Sequence, residues 1–191
     1  ADAVTEIQRF KGALETSMKQ TEELAADLAR RVGEKEAEIL NGHIMLLSDP
    51  MLTGEIETMI TSDKVNSEFA IETVCTNYAN VFASMGDELM QQRATDMRDI
   101  KTRMQKVLMG VESVDIAALP EGSVILAKDL TPSMTAGINP ANVTGIVTEL
   151  GGRTSHSAIL ARALEIPAVV ALTGILSEVK NGDVLVLDGT D

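Results

Sequence analysis

Gly151-Gly152-Arg153-Thr154-Ser155-His156-Ser157-Ala158-Ile159-Leu160-Ala161-Arg162 decides both the fold of the second half of the chain and its chemistry. Two glycines precede a hydroxyl pair and a histidine. A helical pattern follows, with Ile159, Leu160 and Leu164 expected to face inward. Thr154 or Ser155 is a suitable N-cap. His156 then falls in the first helical turn, where backbone N–H groups lack intrahelical partners and the helix dipole is positive. Such a terminus suits an anion, phosphate above all. The glycines remove Cβ atoms where a phosphate must approach the backbone, and Arg153 adds a cationic fork beside it. Physics alone gives a histidine next to a phosphate-sized space, able to attack phosphorus. It equally allows a histidine that merely caps or covers a helix start.

Working outward, Val143–Thr148 reads as a strand running straight into the glycines, and Ser123–Ala127 as an earlier one. Thr131-Pro132-Ser133 opens a brief helix between them. Pro167 is expected to stop the His156 helix. Ala168–Ala171 and Val184–Asp188 are expected as two further strands, with a turn at Asn181-Gly182-Asp183. Strands alternating with helices imply a small α/β unit over residues 113–191. A strand leading through glycines into a helix is a common phosphate position in such folds.

Residues 1–112 read differently, as helices only. The first runs from residue 1 to about 32, with Val4, Ile7, Phe10, Leu14, Leu24, Leu28 and Val32 on its apolar face. The second begins near Glu34 and ends at Ser48-Asp49-Pro50, where proline displaces the preceding residue from helix. A shorter helix covers Met51 to Ile60. The next carries Phe69, Ile71, Val74, Cys75, Tyr78 and Phe82. The last starts near Asp87, turns Leu89, Met90, Met97, Ile100, Met104 and Leu108 inward, and stops at Gly110. Four main helices with short joints make a bundle. The fold class is therefore α plus α/β: a four-helix-bundle-like subdomain (1–112) and an α/β subdomain (113–191).

A net charge of −13 argues against nucleic acid as a partner. Three phenylalanines and one tyrosine leave no stacking platform for single strands. The acidity suits a basic protein partner or serves solubility. No apolar run reaches the length of a membrane span. Cys75, the single cysteine, excludes an intramolecular disulfide and fits a reducing cytosol, so a cytoplasmic location is expected.

The stretch from Gly151 through Val170 closely resembles the phosphohistidine segment of the phosphoenolpyruvate-utilising enzymes. The helical half contains no Gly-rich phosphate loop, so the whole resembles the amino-terminal half of the Enzyme I family. Gly42-His43-Ile44-Met45-Leu46-Leu47 resembles that family's Gly-His-Ile-Met-Leu-Leu run. Arg93-Ala94-Thr95-Asp96-Met97-Arg98-Asp99-Ile100 and Asp129-Leu130-Thr131-Pro132-Ser133-Met134-Thr135-Ala136 resemble two further blocks. The resemblance implies a phosphoenolpyruvate-protein phosphotransferase of the sugar phosphotransferase system. His156 would be the phosphohistidine, accepting the group on Nε2 and passing it to a histidine of the carrier protein HPr. It implies a swivelling α/β subdomain, with Thr135 holding the other imidazole nitrogen and Arg153, Thr154 and Ser155 lining the site. On the helical side, Met45 and Leu46 would be apolar contacts for HPr, and Glu34, Asp49 and Arg93 charged ones. The family's phosphoenolpyruvate-binding barrel, its magnesium site and its dimer contacts belong to a carboxy-terminal half not contained in these residues. No cofactor or metal is thus expected here, and phosphoenolpyruvate would be used only through that half. Strands expected before the first helix and after Asp188 are also missing, so the chain reads as truncated at both ends.

Other readings stand beside these. Met45 and Leu46 could be core. His43 could be a second catalytic group or a hydrogen-bonded structural one. Arg93, Asp96, Arg98 and Asp99 could form a solvated ion-pair face, or Arg98 and Asp99 a brace between the subdomains. At the level of the protein, the alternatives are a paralogue serving nitrogen regulation or dihydroxyacetone phosphorylation, or a regulatory module that binds HPr without turnover.

Overall fold

The computed structural model describes residues 2–190. They form two compact units: residues up to Asp27 with Ala37–Ser113, and Leu28–Glu36 with the residues from Val114 onward.

The first unit is helical. It holds most of α1 (Ala3–Arg31) and of α2 (Glu34–Leu47), then α3 (Pro50–Asp63), α4 (Ser67–Ser84) and α5 (Glu88–Met109). Short polar side chains start these helices. Asp49 accepts a hydrogen bond from Met51 N with Pro50 in the first helical position. Asn66 accepts from Phe69 N, and Asp87 from Met90 N. Gly110, at φ +63°, closes α5 in the left-handed conformation that glycine adopts without steric cost. The core joins Phe10 of α1, Leu47 of α2, Leu52, Ile56 and Ile60 of α3, Ile71 and Val74 of α4, and Met97, Ile100 and Met104 of α5.

Three residues expected inward lie outside. Val4 is 65%, Phe69 56% and Leu89 58% exposed. The buried stripe of α1 runs through Glu6, Phe10, Ala13, Ser17 and Thr21 instead, so it contains polar groups that hydropathy alone does not select. The stripe of α4 runs through Ala70, Ile71, Val74 and Cys75, which turns Phe69 outward. On α5 the buried set begins only at Ala94.

Glu6 is the buried acid of that stripe. Its Oε2 accepts from Ser67 N at 2.8 Å and Ser67 Oγ at 3.0 Å, and it pairs with Arg9 at 2.8 Å. Arg9 also bridges to Glu68. The Ser67 amide above all holds the Glu6 carboxyl below its ordinary value of 4.5, against the opposing effect of burial. The stabilisation from this depressed carboxyl is complete above the unfolded value and is lost as pH falls through the lower folded one. Urea midpoints should therefore drop as pH is lowered below about 4.5, and Glu6→Gln should flatten that acid limb. An unaltered limb in Glu6→Gln would assign the acid sensitivity to other carboxylates.

The second unit is α/β. A single 3₁₀ turn (Ile116–Ala118) leads to β1 (Ser123–Ala127), α6 (Pro132–Ala136), β2 (Val143–Thr148), α7 (His156–Ala163), β3 (Ala168–Val169) and α8 (Ile175–Glu178). The strands make a parallel sheet in the order β1-β2-β3. The central β2 buries Val143, Ile146 and Val147, and its core includes Leu130, Ile138, Ala161 and Ile166. The end of α1 belongs to this unit: Leu28 is buried, and Arg31 donates to the carbonyls of Ala136 at 2.8 Å and Ile138 at 2.9 Å. The sequence places one visible passage of chain between the units, near residues 110–120. The structure has three, at Asp27/Leu28, Glu36/Ala37 and Ser113/Val114.

Two further expectations change. α7 stops at Ala163, before Pro167, because Glu165 takes a left-handed φ of +56°. Residues 184–188 form no strand, and Val184 and Val186 are 95% and 96% exposed. Their pattern is that of a strand, but no sheet edge among the described residues pairs with them. Leu187 reaches the sheet, with Cδ2 2.9 Å from where a Cβ on Gly145 would lie.

Candidate functional site

The α/β unit places His156 where the sequence analysis expects it. β2 ends at Thr148, whose hydroxyl donates to the Leu150 carbonyl at 2.7 Å. The chain then turns at Gly151, with φ +93°. Gly152 has open space where a side chain would begin, with nothing within 4 Å. Ser155 N donates to the Gly152 carbonyl at 3.0 Å and closes the turn. Ser155 is also the N-cap, its Oγ accepting from Ala158 N at 3.3 Å and lying 2.9 Å from Ser157 Oγ. His156 is thereby fixed as the first residue of α7 and is half-buried. Arg162, in the last turn of the same helix, donates to the Arg153 carbonyl at 2.7 Å and ties the loop down. Arg153 and Thr154 are exposed.

The inward face of α7 is Ser157, Ala158, Leu160 and Ala161, while Ile159 is 44% exposed instead of inward. One position of rotation, 100° on a helix, separates the two readings. α6 packs against α7 and carries Thr135, which is 2% exposed. The Thr135 hydroxyl donates to the Pro132 carbonyl at 2.9 Å. Its lone pairs remain for an N–H donor, so towards an imidazole this residue would act as an acceptor.

The helical unit carries the remaining expected residues, except Glu34, which is exposed and lies with the α/β unit. Met45 is 69% exposed, whereas Leu46 is half-buried and packs on the core. The two neighbours thus divide the readings between them. Asp49 serves α3 as its cap through Oδ1, at 2.9 Å from Met51 N. Arg93 has 30% of its side chain exposed and points Nη1 towards Asp96 Oδ2, 3.7 Å away.

His43 is completely buried, its Nε2 3.2 Å from Asp96 Oδ1 and its Nδ1 without a hydrogen-bond partner among the described residues. A group so enclosed cannot meet a phosphoryl donor, so its role is structural. Cys75 is excluded as a nucleophile on similar grounds, since burial pushes its thiol up to about 12. The sequence analysis missed the exposed apolar residues Met51, Val81 and Met85, at 69%, 53% and 55%. Helical periodicity does hint at them, because each falls off its helix's buried stripe.

No group of three or more His, Cys, Asp or Glu among the described residues is arranged to hold a metal ion. No helix among the described residues is long and apolar enough to cross a membrane.

Comparison with known proteins covers nearly the whole chain. Residues 1–93 match the family described as PEP-utilising enzyme, N-terminal, and residues 119–191 match PEP-utilising enzyme, mobile domain. The phosphoenolpyruvate-protein phosphotransferase of Listeria monocytogenes is 41% identical over 190 residues, which is 100% of this chain and 33% of that protein. The Bacillus subtilis protein of the same name is 39% identical over 189 residues, 99% of this chain and 33% of that protein. The chain thus spans about a third of the length of these curated relatives. Among solved structures, a solution structure of Enzyme I (nEIt) superposes with a TM-score of 0.85 at 42% identity, covering 98% of this chain and 76% of that one. An N-terminal domain of Enzyme 1 – Nitrogen gives 0.65 at 29% identity, covering 89% and 69%.

Proposed function

This chain belongs to the Enzyme I family of phosphoenolpyruvate-utilising enzymes, and from that we propose that it is the phosphohistidine and carrier-docking part of a cytoplasmic phosphoenolpyruvate-protein phosphotransferase. The observation that carries the reading is the placement of His156: first residue of α7, capped by Ser155, behind a glycine turn at the end of β2. The greater likeness to Enzyme I than to the nitrogen enzyme supports the sugar system over the nitrogen paralogue.

In the forward direction an imidazole nitrogen of His156 attacks the phosphorus of phosphoenolpyruvate. The N–P bond forms as the bond from phosphorus to the enol oxygen breaks, and the enolate leaves to take up a proton as pyruvate. A histidine of HPr then attacks the same phosphorus, and the His156 N–P bond breaks. The residues here contribute position and charge. The α7 amides and dipole favour the transferred oxyanion. Arg153, exposed beside the loop, offers a planar donor fork. A Thr135 hydroxyl that accepts a hydrogen bond from the N–H of one imidazole nitrogen would fix the tautomer in which the other is unprotonated for attack. Phosphoenolpyruvate itself would be held by the rest of the longer protein.

The reading is tested by reverse transfer from HPr phosphorylated on its histidine. The chain should take up close to one phosphoryl group per molecule, and no uptake over hours would reject it.

The carrier would dock on the helical unit, where exposed Met45 supplies an apolar anchor on a chain of net charge −13. A buried anchor controls dissociation, whereas surrounding charges control encounter. Met45→Ala should cost about 1–2 kcal/mol in HPr affinity, mostly through faster dissociation. Added salt should slow association, since exposed charges are screened beyond roughly 8 Å at physiological ionic strength. Stopped-flow association and dissociation rates check both, and rates indifferent to salt and to Met45→Ala would place the carrier elsewhere.

A further inference from the structure

Gly42 lies inside α2 and is buried. A Cβ there would sit 2.2 Å from Arg93 Nη1 and 3.3 Å from Arg93 Cζ. The guanidinium therefore rests on bare helix backbone, closer than any side chain at position 42 permits. Glycine is a poor helix former in an interior position, so the gap has a structural use. Arg93 is held from a second side by Asp96, one turn along α5, at 3.7 Å. Asp96 is 3% exposed, and its other oxygen is fixed by the fully buried His43 at 3.2 Å. A line of contacts thus runs from the core, His43 to Asp96 to Arg93, and ends at a guanidinium partly open to solvent. Gly42 and Met45 are three residues apart on α2, which makes them neighbours on one helix face.

We infer that Gly42, Asp96 and His43 are positioning residues that hold Arg93 as a preset oxyanion fork beside the Met45 anchor. The inference rests on the docking surface proposed above. An arginine normally loses much side-chain freedom on engaging a partner. A fork already fixed in plane and direction loses little, and it donates to two oxygens of a carboxylate or phosphoryl group at once. Those two oxyanions are the sources to be separated: a carboxylate of the carrier, or the phosphoryl group that it carries.

The decisive variant is Gly42→Ala. A methyl group there displaces a flexible side-chain end, not backbone, and alanine favours the helix, so the fold should persist with an unchanged or higher urea midpoint. HPr binding is measured by calorimetry for wild type, Gly42→Ala, Arg93→Ala and the double variant. Both single variants should lose affinity by roughly tenfold, as expected for a charged hydrogen bond, with no further loss in the double. Equal losses with unphosphorylated and phosphorylated HPr, the latter in a His156→Ala background, support a carrier carboxylate. A loss confined to phosphorylated HPr supports the phosphoryl group. If Arg93→Ala weakens binding and Gly42→Ala does not, the positioning is overturned while the docking surface stands. If Met45→Ala weakens binding and neither of these variants does, Arg93 has no part in recognition and the inference falls. If wild type binds no HPr, the docking reading falls and the inference with it. The cradle is also read without the carrier: the Arg93 Nε–H NMR signal should be sharp and protected from exchange in wild type and averaged in Gly42→Ala. An averaged signal in wild type overturns the inference.

Discussion

His156→Ala takes up no phosphoryl group from phosphorylated HPr, while its circular dichroism and urea midpoint stay close to wild type. Both halves of that expectation follow from the site. In the proposed reaction the imidazole supplies the nucleophile, and the neighbouring hydroxyls of Thr154, Ser155 and Ser157 lack its basicity. The helix start does not depend on it, because Ser155 makes the cap and alanine is a good helix former. The wild-type adduct should be a phosphoramidate, lost in acid and stable in base. An acid-stable label would be a phosphoester on a hydroxyl, and a base-labile one an acyl phosphate. Either outcome, or residual label in His156→Ala, would place the chemistry on another side chain.

The second large effect lies in the helical unit and concerns stability. His43→Ala removes a fully buried ring and the hydrogen-bond partner that lies 3.2 Å from Asp96 Oδ1. The carboxylate then keeps only Arg93, at 3.7 Å. Loss of one member of a buried charged hydrogen bond, with a cavity in its place, should cost about 3 kcal/mol. Urea unfolding at neutral pH measures it. A loss under about 0.5 kcal/mol would mean that water or a shifted side chain satisfies Asp96. Where the variant remains folded, His156 should still be labelled at saturating phosphorylated HPr, since His43 has no access to the donor, but with the weaker HPr affinity expected when Arg93 is no longer held.

The local signals in the sequence carried most of the element boundaries. Asp49-Pro50, Asp87, Thr131 and Ser155 each start a helix by a hydrogen bond within a few residues, and such short-range chemistry is visible in one dimension, whereas the sequence reading starts the next helix after Thr61-Ser62-Asp63 and the structure caps it at Asn66. The same holds for Gly151-Gly152 and His156. What hydropathy could not reveal depends on partners distant in sequence. Thr21 and Glu6 lie in the buried stripe of α1 because Arg103 and Ser67, respectively, meet them there. Residues 184–188 carry strand propensity, but pairing needs a neighbouring edge, which propensity does not provide. Gly42 is legible as an anomaly within a helix, yet only its spatial neighbour Arg93 explains it.

The ownership of the end of α1 has an evolutionary corollary. Arg31 covers carbonyls at the end of α6, and Leu28 joins the same unit, although both precede it by most of the chain. A cut at 113/114 therefore parts Arg31 and Leu28 from the unit they belong to in this chain. It strips one product of the guanidinium that closes α6 and gives the other a helix end with nothing to cover. Recombination that shuffled phosphohistidine units among proteins would have to carry residues 28–36 along, either by moving the helical segment as an insertion within the unit or by replacing its closing contacts first. In this chain the two units are interleaved, whatever separate tasks they perform.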